Sequence, residues 1–398
     1  MKYETFFPDN VKIALSNDPP GAWMPKIPHH CIRLHAGYPA PSLIPDKEIN
    51  SAVNDLITTE RDLPFHYLGS SNVERLKEKI RRRLSERGIT ARENELLMTS
   101  GSSQAIDLIA RILLDQSAIV VVEAPTYMEA LETFKNYTRH ILTVPIDEHG
   151  LKVDALETVL RKRKKEKLPM PRFVYTIPSF HNPTGVTMSH ERRRQLLSLA
   201  SQFDFLIVED DAYGELSFSK SPVPLKAIDT EGRVLYVGSL SKVVAPGIRV
   251  GWIAGAKSFV SSCKWFKKDL DHPFMQAAIG TYLHNSNFKE RIKHVKEAYR
   301  KRRDCMVAAL RQSMPEWVTW DVPDGGYFVW LHAPNIDASS LLEESLNIGV
   351  SFIPGQYFFL HPHEGKEYLR LSFSYEQPER MTLGVQKLAE LIRTNVNQ

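Results

Sequence analysis

The sequence predicts an α/β fold, because apolar segments of strand length alternate with segments of helical period through the middle of the chain. The helical patterns cover residues 104–114, 126–137 and 191–203. The strand patterns cover residues 118–123, 140–145, 173–177, 206–209 and 234–237. Strands as apolar as these are typical of a sheet that helices cover on both faces, so a core of this type is expected here.

The chain has 398 residues, of which 42% are hydrophobic and 25% are charged, and this length suits a large buried core divided between two domains. No apolar run is long enough to cross a membrane, and the amino terminus lacks the apolar centre of a secretory signal, which predicts a cytoplasmic protein. The three cysteines lie far apart in the sequence, so neither a disulfide framework nor a zinc or other metal site is expected.

The formal net charge of +4 is small for this length, and the basic residues cluster in helical segments such as 161–167 and 299–303. Basic runs of this kind are usually solvated helix faces. No DNA-reading module is recognisable in the sequence. We therefore expect neither a nucleic acid nor a membrane among the partners of this protein.

A long basic helical pattern at about residues 287–311 predicts where the chain leaves the α/β core. The expected division is a large domain over residues 46–285 and a small carboxyl-terminal domain over residues 286–398. Residues 1–45 are expected to form an amino-terminal segment that packs with the small domain.

Lys242 has a sequence environment that suits a lysine used for chemistry. It follows the strand-like residues 233–238 and precedes a Pro-Gly turn, so the strand delivers it to an edge of the sheet. Desolvation there and the nearby cation Arg249 both favour the neutral amine, which can condense with an aldehyde to form a Schiff base. The hydroxyl groups of Ser239 and Ser241, together with Arg249, supply groups that bind phosphate.

A lysine beside a phosphate cradle indicates pyridoxal phosphate as the cofactor, although the same residues taken alone equally fit an ordinary polar loop after a strand. The segment resembles the Schiff-base lysine motif of fold-type I aminotransferases of class I and II. Further motifs that resemble those of this family occur in family order between Leu34 and Ser374. The resemblance implies a mostly parallel seven-stranded sheet flanked by helices, with a smaller α+β domain beside it.

Two turns resemble the parts of the family site that hold the cofactor. Residues 99–104 open a predicted helix, where Gly101 permits a tight turn and Ser102 and Ser103 can face a phosphate at the positive end of the helix. A purely structural helix cap has the same composition. The Asn-Pro-Thr-Gly sequence that begins at Asn182 resembles the family motif whose asparagine contacts the phenolic oxygen of the cofactor, although it also fits a plain turn.

A strand that ends in acids resembles the family's aspartate with a tyrosine three residues later. The resemblance implies that Asp210 pairs with the pyridine nitrogen and keeps it protonated, so that the ring can accept electrons. Tyr213 is then expected to contact the phenolic oxygen together with Asn182. Asp211 is the alternative partner of the nitrogen, but its spacing to the tyrosine fits the family less well.

Two further tyrosines match positions that contact the cofactor in the family. Tyr127 follows a predicted strand, at the place where the family stacks an aromatic ring on the cofactor. Tyr67 resembles the tyrosine that reaches the phosphate of the neighbouring subunit, which implies a homodimer. The residues after Tyr67 depart from the family pattern. In the family a spaced glycine and then Leu-Arg follow the tyrosine, whereas this chain has Leu-Gly-Ser-Ser-Asn and then Leu76-Lys77.

Arg370 lies in a segment, residues 368–374, that resembles the carboxyl-terminal arginine motif of the family. The resemblance implies that its guanidinium binds the substrate α-carboxylate as a fork, for which lysine is a poor substitute. Gly37, Asn182 and Tyr327 match family positions beside the substrate. The candidates for a pocket that accepts an aromatic or long aliphatic side chain are Tyr38, Phe180, Tyr327 and Phe352.

The combination of Lys242, Asp210 and Arg370 predicts an aminotransferase that moves the amino group of an L-amino acid to a 2-oxo acid, commonly 2-oxoglutarate in this family, by a ping-pong mechanism. Lys242 is expected to hold the cofactor as a Schiff base and then to move the substrate α-proton. The motifs are most similar to the branch with kynurenine and 2-aminoadipate aminotransferases and the aminotransferase-like domains of certain bacterial regulators.

Other chemistries remain open at the level of sequence. A β-lyase or an α-decarboxylase can use the same scaffold and cofactor, because the bond that breaks depends on how the substrate is held. An amino-acid sensor that binds the cofactor without turnover is a further alternative. A nicotinamide dehydrogenase is disfavoured, because no Gly-x-Gly-x-x-Gly fingerprint follows an early strand.

Overall fold

A computed structural model describes residues 3–19, 21–22, 25–67, 69–268 and 271–395. Its large sheet has eight strands. In spatial order they are Leu96–Thr99, Gly251–Ala254, Val234–Ser239, Leu206–Asp210, Phe173–Thr176, Ile119–Ala124, His140–Asp147 and Gly150–Leu151. The five from Val234–Ser239 to His140–Asp147 are parallel. Gly251–Ala254 and the two-residue strand Gly150–Leu151 run antiparallel to their neighbours. The prediction of a mostly parallel sheet is confirmed, and Gly150–Leu151 extends the expected seven strands to eight.

The helices of the described residues agree with the predicted alternation, with small shifts at their ends. Their bounds are Asp9–Leu15, Asp46–Glu60, Asn72–Glu86, Ser102–Leu113, Met128–Lys135, Val153–Lys165, His190–Phe203, Lys257–Phe266, Pro273–Asn285, Phe288–Ser313, Ala338–Asn347 and Pro378–Asn395. Met128–Lys135 begins two residues later than predicted, because the Thr126 amide donates to the Phe358 carbonyl at 2.8 Å outside the helix. None of these helices is long and apolar enough to span a membrane.

The large sheet is covered on both faces because successive side chains of a strand point to opposite sides. In Ile119–Ala124, Val120 and Val122 pack in one apolar cluster, whereas Val121 lies in another. The first cluster includes helices Ser102–Leu113 and Met128–Lys135. Val153–Lys165 and His190–Phe203 contribute to the second cluster. The uniformly apolar strands of the sequence are thus explained by a two-sided core.

A second, antiparallel sheet has the strand order Thr319–Trp320, Phe328–His332, Tyr368–Ser372 and Ile353–Pro354. Ile32–Arg33 pairs in parallel with Val350–Ser351. Helix Phe288–Ser313 contributes Met306 and Leu310 to the cluster that also buries Val329 and Leu371 of this sheet. The resulting smaller α+β layer brings Phe328 and Arg370 to the carboxyl ends of the parallel strands.

Candidate active site

A cavity of about 440 Å³ lies at the carboxyl ends of the parallel strands, where ligands bind in open α/β sheets. Each of several strands of the large sheet contributes a residue at or just after its end, and the smaller sheet contributes the facing wall. Most of the predicted site residues line this cavity, namely Gly37, Ser102, Ser103, Tyr127, Asn182, Asp210, Tyr213, Ser241, Lys242, Arg249 and Arg370. The separate motifs of the sequence therefore meet at one place.

Lys242 follows the strand Val234–Ser239 and reaches into the cavity, where its Nζ donates to the Gly37 carbonyl at 2.9 Å. The Nζ lies 5.7 Å from the centre of the Tyr213 ring. Burial, reinforced by the Arg370 charge, lowers the pKa of Lys242 to about 8, although the Glu129 and Asp210 carboxylates act in the opposite direction. The side chain is therefore neutral over an accessible range of pH, as a nucleophilic amine requires.

The lowered pKa predicts how the cofactor-free protein captures an aldehyde. Lys242 is charged below about pH 8 and neutral above it, and only the neutral amine attacks a carbonyl carbon. The rate of covalent capture of pyridoxal phosphate should therefore rise about tenfold between about pH 7 and pH 9 and then level off. Stopped-flow absorbance across this range measures the rate. A rate that continues to climb tenfold above about pH 9 would indicate a lysine of ordinary pKa.

Asp210 ends the strand Leu206–Asp210 and is only 4% exposed. Its Oδ2 accepts a hydrogen bond from the Tyr175 hydroxyl at 2.8 Å. Its buried Oδ1 has no hydrogen-bond partner among the described residues. Burial raises the pKa of this carboxyl to about 6, and the Tyr175 hydrogen bond partly offsets the effect. An unpaired buried carboxylate oxygen at the edge of a cavity is suited to a protonated nitrogen of a ligand.

Asp211 was the sequence-based alternative to Asp210, and its side chain is engaged elsewhere. Its Oδ2 accepts hydrogen bonds from Arg87 and from the Tyr236 hydroxyl, the latter at 2.8 Å. It does not line the cavity. The position of Asp211 is therefore explained by a buried ion pair that supports the fold.

Asn182, in the turn that follows strand Phe173–Thr176 of the large sheet, and Arg370, in a strand of the smaller sheet, meet in the cavity. Arg370 Nη1 donates to Asn182 Oδ1 at 2.9 Å, and Nη2 donates to the His35 carbonyl at 2.8 Å. The guanidinium carbon lies 4.1 Å from the centre of the Phe328 ring. Burial lowers the pKa of Arg370 to about 10, so the side chain remains cationic at neutral pH. Its Nε has no partner among the described residues, which leaves a donor for an anionic ligand.

Contacts among buried side chains fix the loop that contains Asn182. His181 is 2% exposed, and its Nε2 lies 3.1 Å from Glu123 Oε2. Its Nδ1 contacts the Thr184 hydroxyl at 3.0 Å. Glu123 also accepts hydrogen bonds from Thr176 Oγ1 at 2.6 Å and from the Ile177 amide at 2.9 Å. These contacts fix the loop that presents Asn182 to Arg370.

Groups that can bind a phosphate lie together at the other end of the cavity. Ser102 and Ser103 begin the helix Ser102–Leu113, whose amino-terminal N–H groups favour an anion. Arg249 Nη2 donates to the Ser100 carbonyl at 2.6 Å and so lies beside the same turn. Gly101 has a φ of +88°. This turn and Arg249 together form a cationic, donor-rich corner.

Gly101 is predicted to be essential for this corner. A Cβ at this position would lie 2.7 Å from Arg249 Nη2, and the positive φ is strained for any L side chain. We expect Gly101→Ala to weaken cofactor binding about tenfold or more by displacing Arg249. Gly247→Ala is the matched control, because no atom of the described residues lies within 4 Å of its Cβ position. Fluorescence titration of cofactor-free protein measures both constants, and equal affinities would contradict the prediction.

Three predicted residues lie outside the lining of the cavity. Ser239 is 5% exposed and donates to the Ser241 hydroxyl at 2.8 Å, and its phosphate contact stays a prediction. Tyr327 is fully buried, and its hydroxyl donates to the Lys242 carbonyl at 2.6 Å, so it supports the lysine, while its contact with the substrate stays a prediction. Tyr67 is 82% exposed on the surface of the single chain.

The sequence-based pocket for a large substrate side chain is not formed as expected. Phe180 and Phe352 are buried in the core with Tyr327, and only Tyr38 of the four candidates lines the cavity. Phe180 packs in the space that Gly325 leaves, where an added Cβ would lie 2.4 Å from its ring. The apolar part of the cavity wall instead includes Met128, Phe328 and Ile353.

Sequence reasoning also missed several residues of the site. Tyr175 was assigned only to a strand, and its partnership with Asp210 depends on the pairing of two neighbouring strands. His35 lines the cavity, and burial together with Arg370 and Arg33 lowers its pKa to about 4, so its ring is neutral. Glu129 lines the cavity from the first turn of Met128–Lys135. Its acidic type at a helix start looks like an ordinary dipole interaction in the sequence.

Comparison with known proteins places this architecture in a family. The family described as "Aminotransferase class I and II" matches residues 40–388. The aromatic-amino-acid aminotransferase 1 of Thermococcus litoralis is 39% identical over 373 residues, which cover 92% of this chain and 89% of that protein.

Two solved structures extend this comparison. A kynurenine aminotransferase from Pyrococcus horikoshii, in complex with PMP and kynurenine, is 37% identical with a TM-score of 0.86 and 91% coverage of both chains. The α-aminoadipate aminotransferase LysN of Thermus thermophilus, complexed with N-(5'-phosphopyridoxyl)-L-leucine, is 30% identical with a TM-score of 0.89 and full coverage of both chains.

The fold and the site define an enzyme whose lysine works beside a phosphate-bearing cofactor. The chain belongs to the aminotransferase class I and II family, and its cofactor is pyridoxal phosphate. Its residues fit that group, because Asp210 Oδ1, which has no partner among the described residues, matches a ring nitrogen and the corner at Arg249 matches a phosphate. The predicted likeness to kynurenine and 2-aminoadipate aminotransferases is confirmed.

Proposed function

We propose that the protein transfers the amino group of an L-amino acid to a 2-oxo acid in ping-pong order, with 2-oxoglutarate as the first acceptor to test. The observation that carries this proposal is the meeting of Lys242, Asp210 and Arg370 in one cavity. They supply a weakly basic amine, a carboxylate oxygen without a hydrogen-bond partner among the described residues, and a cationic fork. Transamination needs these three groups together.

The proposed cofactor contacts follow from the cavity wall. Ser102, Ser103, Ser241 and Arg249 hold the phosphate, because their hydroxyl, N–H and guanidinium donors share one corner. Asp210 pairs with the ring nitrogen through its free Oδ1.

Three uncharged side chains complete the proposed cofactor site. Asn182 and Tyr213 serve the phenolic oxygen, and Tyr127 packs against the ring face. When bound, pyridoxal phosphate supplies an aldehyde that carries the amino group and a ring that stabilises negative charge at the substrate α-carbon.

The protein side chains then bind the substrate and move its proton. Arg370 takes the α-carboxylate with the donors not used by Asn182 and His35, and this fixes the α-carbon near Lys242. Lys242 is held by the Gly37 carbonyl, and its neutral Nζ removes the proton from the substrate α-carbon and would deliver it to the cofactor carbon that keeps the amino group. Tyr327 anchors the lysine backbone from behind.

A homodimer is also part of the proposal. Phe65 and Tyr67 are 65% and 82% exposed, and Phe65 stacks on Phe274 with ring centres 5.2 Å apart. Exposed aromatic residues of this kind suit a subunit contact. We further propose a cytoplasmic protein, divided into the amino-terminal segment 1–45, the large domain 46–285 and the small domain 286–398. Light scattering of the holoenzyme tests the dimer, and a fully active monomer would exclude it.

The activity is tested by absorption spectroscopy of the holoenzyme with a panel of amino acids and no 2-oxo acid. A donor should convert the visible cofactor band to the shorter-wavelength pyridoxamine form in one turnover, and a 2-oxo acid should restore it. Release of ammonia would indicate a β-lyase, and release of carbon dioxide a decarboxylase. A spectral change without multiple turnovers in the presence of both substrates would indicate a sensor.

A further inference from the structure

One charged residue of the cavity has no place in the proposed chemistry. Glu129 lines the cavity and lies in the first turn of helix Met128–Lys135. Burial, reinforced by the nearby Glu129 charge, raises the pKa of the Tyr127 hydroxyl. Its charge also acts on Lys242 and Arg370, since it opposes the fall in the pKa of both groups. Glu129 is exposed to solvent and lines the same cavity that a substrate would occupy.

The proposed function already assigns a role to each cationic side chain that lines the cavity. Among the described residues that line it, Arg249 belongs to the phosphate corner, Arg370 to the α-carboxylate and Lys242 to the reacting amine. His35 is neutral, because burial and nearby arginines lower its pKa to about 4. The lining residues that the structure describes therefore offer no further cation for a second substrate carboxylate.

The rest of the wall suits an uncharged side chain. Met128, Phe328 and Ile353 are buried apolar residues that line the cavity, and Tyr38 adds an aromatic ring at the exposed side. Apolar contacts of this type stabilise a bound hydrocarbon or aromatic group by burying its surface. A carboxylate placed among them and near Glu129 would lose hydration and meet a like charge.

We propose that Glu129 makes the cavity selective by charge, so that amino acids and 2-oxo acids with an uncharged side chain are used in preference to those with a second carboxylate. The inference rests on the proposed function and adds the chemical class of the substrate side chain. It predicts a lower kcat/KM for 2-aminoadipate and glutamate than for aromatic and aliphatic donors. It also makes 2-oxoglutarate a weaker acceptor than a 2-oxo acid of similar size with a neutral side chain.

The test compares the wild-type holoenzyme with Glu129→Gln, which keeps the size of the side chain and removes its charge. The ratio of kcat/KM for 2-aminoadipate to kcat/KM for norleucine should rise by up to about tenfold, because the substitution removes a like charge from the wall of the cavity. Glu129→Ala should change the ratio in the same direction. Glu132→Gln is the control, because Glu132 lies one turn further along the same helix and does not line the cavity.

Binding provides a readout that does not depend on turnover. Isothermal titration of the holoenzyme with glutarate and with pentanoate should show that only the affinity for glutarate increases in Glu129→Gln, again by up to about tenfold. An unchanged ratio of efficiencies, or an equal loss for both donors, would overturn the inference and leave Glu129 a structural residue of the helix start. A failure of every donor to convert the cofactor would contradict the proposed function instead.

Discussion

Replacing Lys242 with alanine is expected to lower kcat at least about 10⁴-fold, because it removes both the amine that binds the cofactor aldehyde and the base that moves the α-proton. The structure offers no other amine to the cavity, since Lys242 is the one lysine among the described lining residues. Single-turnover absorbance with a good donor, followed over hours, measures the remaining rate. Normal transamination by this variant would refute the assignment of the lysine.

Chemical rescue separates loss of the base from loss of the fold. A small primary amine such as methylamine should restore part of the Lys242→Ala rate in proportion to its neutral fraction, because it can occupy the space left by the side chain. Lys242→Arg keeps a cation but supplies no neutral amine at neutral pH, so it should remain as inactive as the alanine variant. Lys289→Ala, on an exposed helix face, should retain full activity.

The site could be predicted from the sequence where its residues follow strands. Parallel strands have their carboxyl ends at one edge of a sheet, so Asp210 and Lys242 meet once their strands are recognised. The pairing of Asp210 with Tyr175 depends on the register between two strands, which a single sequence does not specify. The same limit applies to Glu129, whose position facing the cavity depends on the orientation of a helix against the sheet.

Whether an aromatic side chain lines the cavity or lies in the core was harder to predict than which chain segments form the site. Phe180 and Tyr327 lie next to predicted site segments in sequence, but both side chains turn into the core. Phe180 can do so because Gly325 leaves room for its ring and Gly326 for its Cβ, so the glycines serve packing at this point. The motifs of the sequence therefore identified the chain segments that form the site, whereas side-chain packing decides which of their residues line the cavity.

Asp210→Asn is expected to separate activity from stability. The amide cannot balance a protonated ring nitrogen, so kcat should fall about 10²–10³-fold. The cofactor-free variant should nevertheless be more stable than the wild type at neutral pH. Burial raises the pKa of Asp210 to about 6, above its ordinary value of 3.8, so the folded protein carries a destabilising charge above about pH 6. Removing that charge can stabilise the fold by up to about 3 kcal/mol.

The stability difference between Asp210→Asn and the wild type should depend on pH. Because the folded protein protonates Asp210 below about pH 6, the stability advantage of Asp210→Asn should shrink as the pH falls through 6. Asp211→Asn is the matched control with the opposite pattern, since it leaves Arg87, whose side chain is only 13% exposed, without its ion-pair partner and should lower stability by about 3 kcal/mol. Its activity per folded molecule should change little, because Asp211 does not line the cavity. Thermal unfolding of the cofactor-free variants at pH 5 and pH 7 measures both trends, and a loss of stability in Asp210→Asn at pH 7 would contradict the view that this carboxylate is held for the cofactor at a cost to the fold.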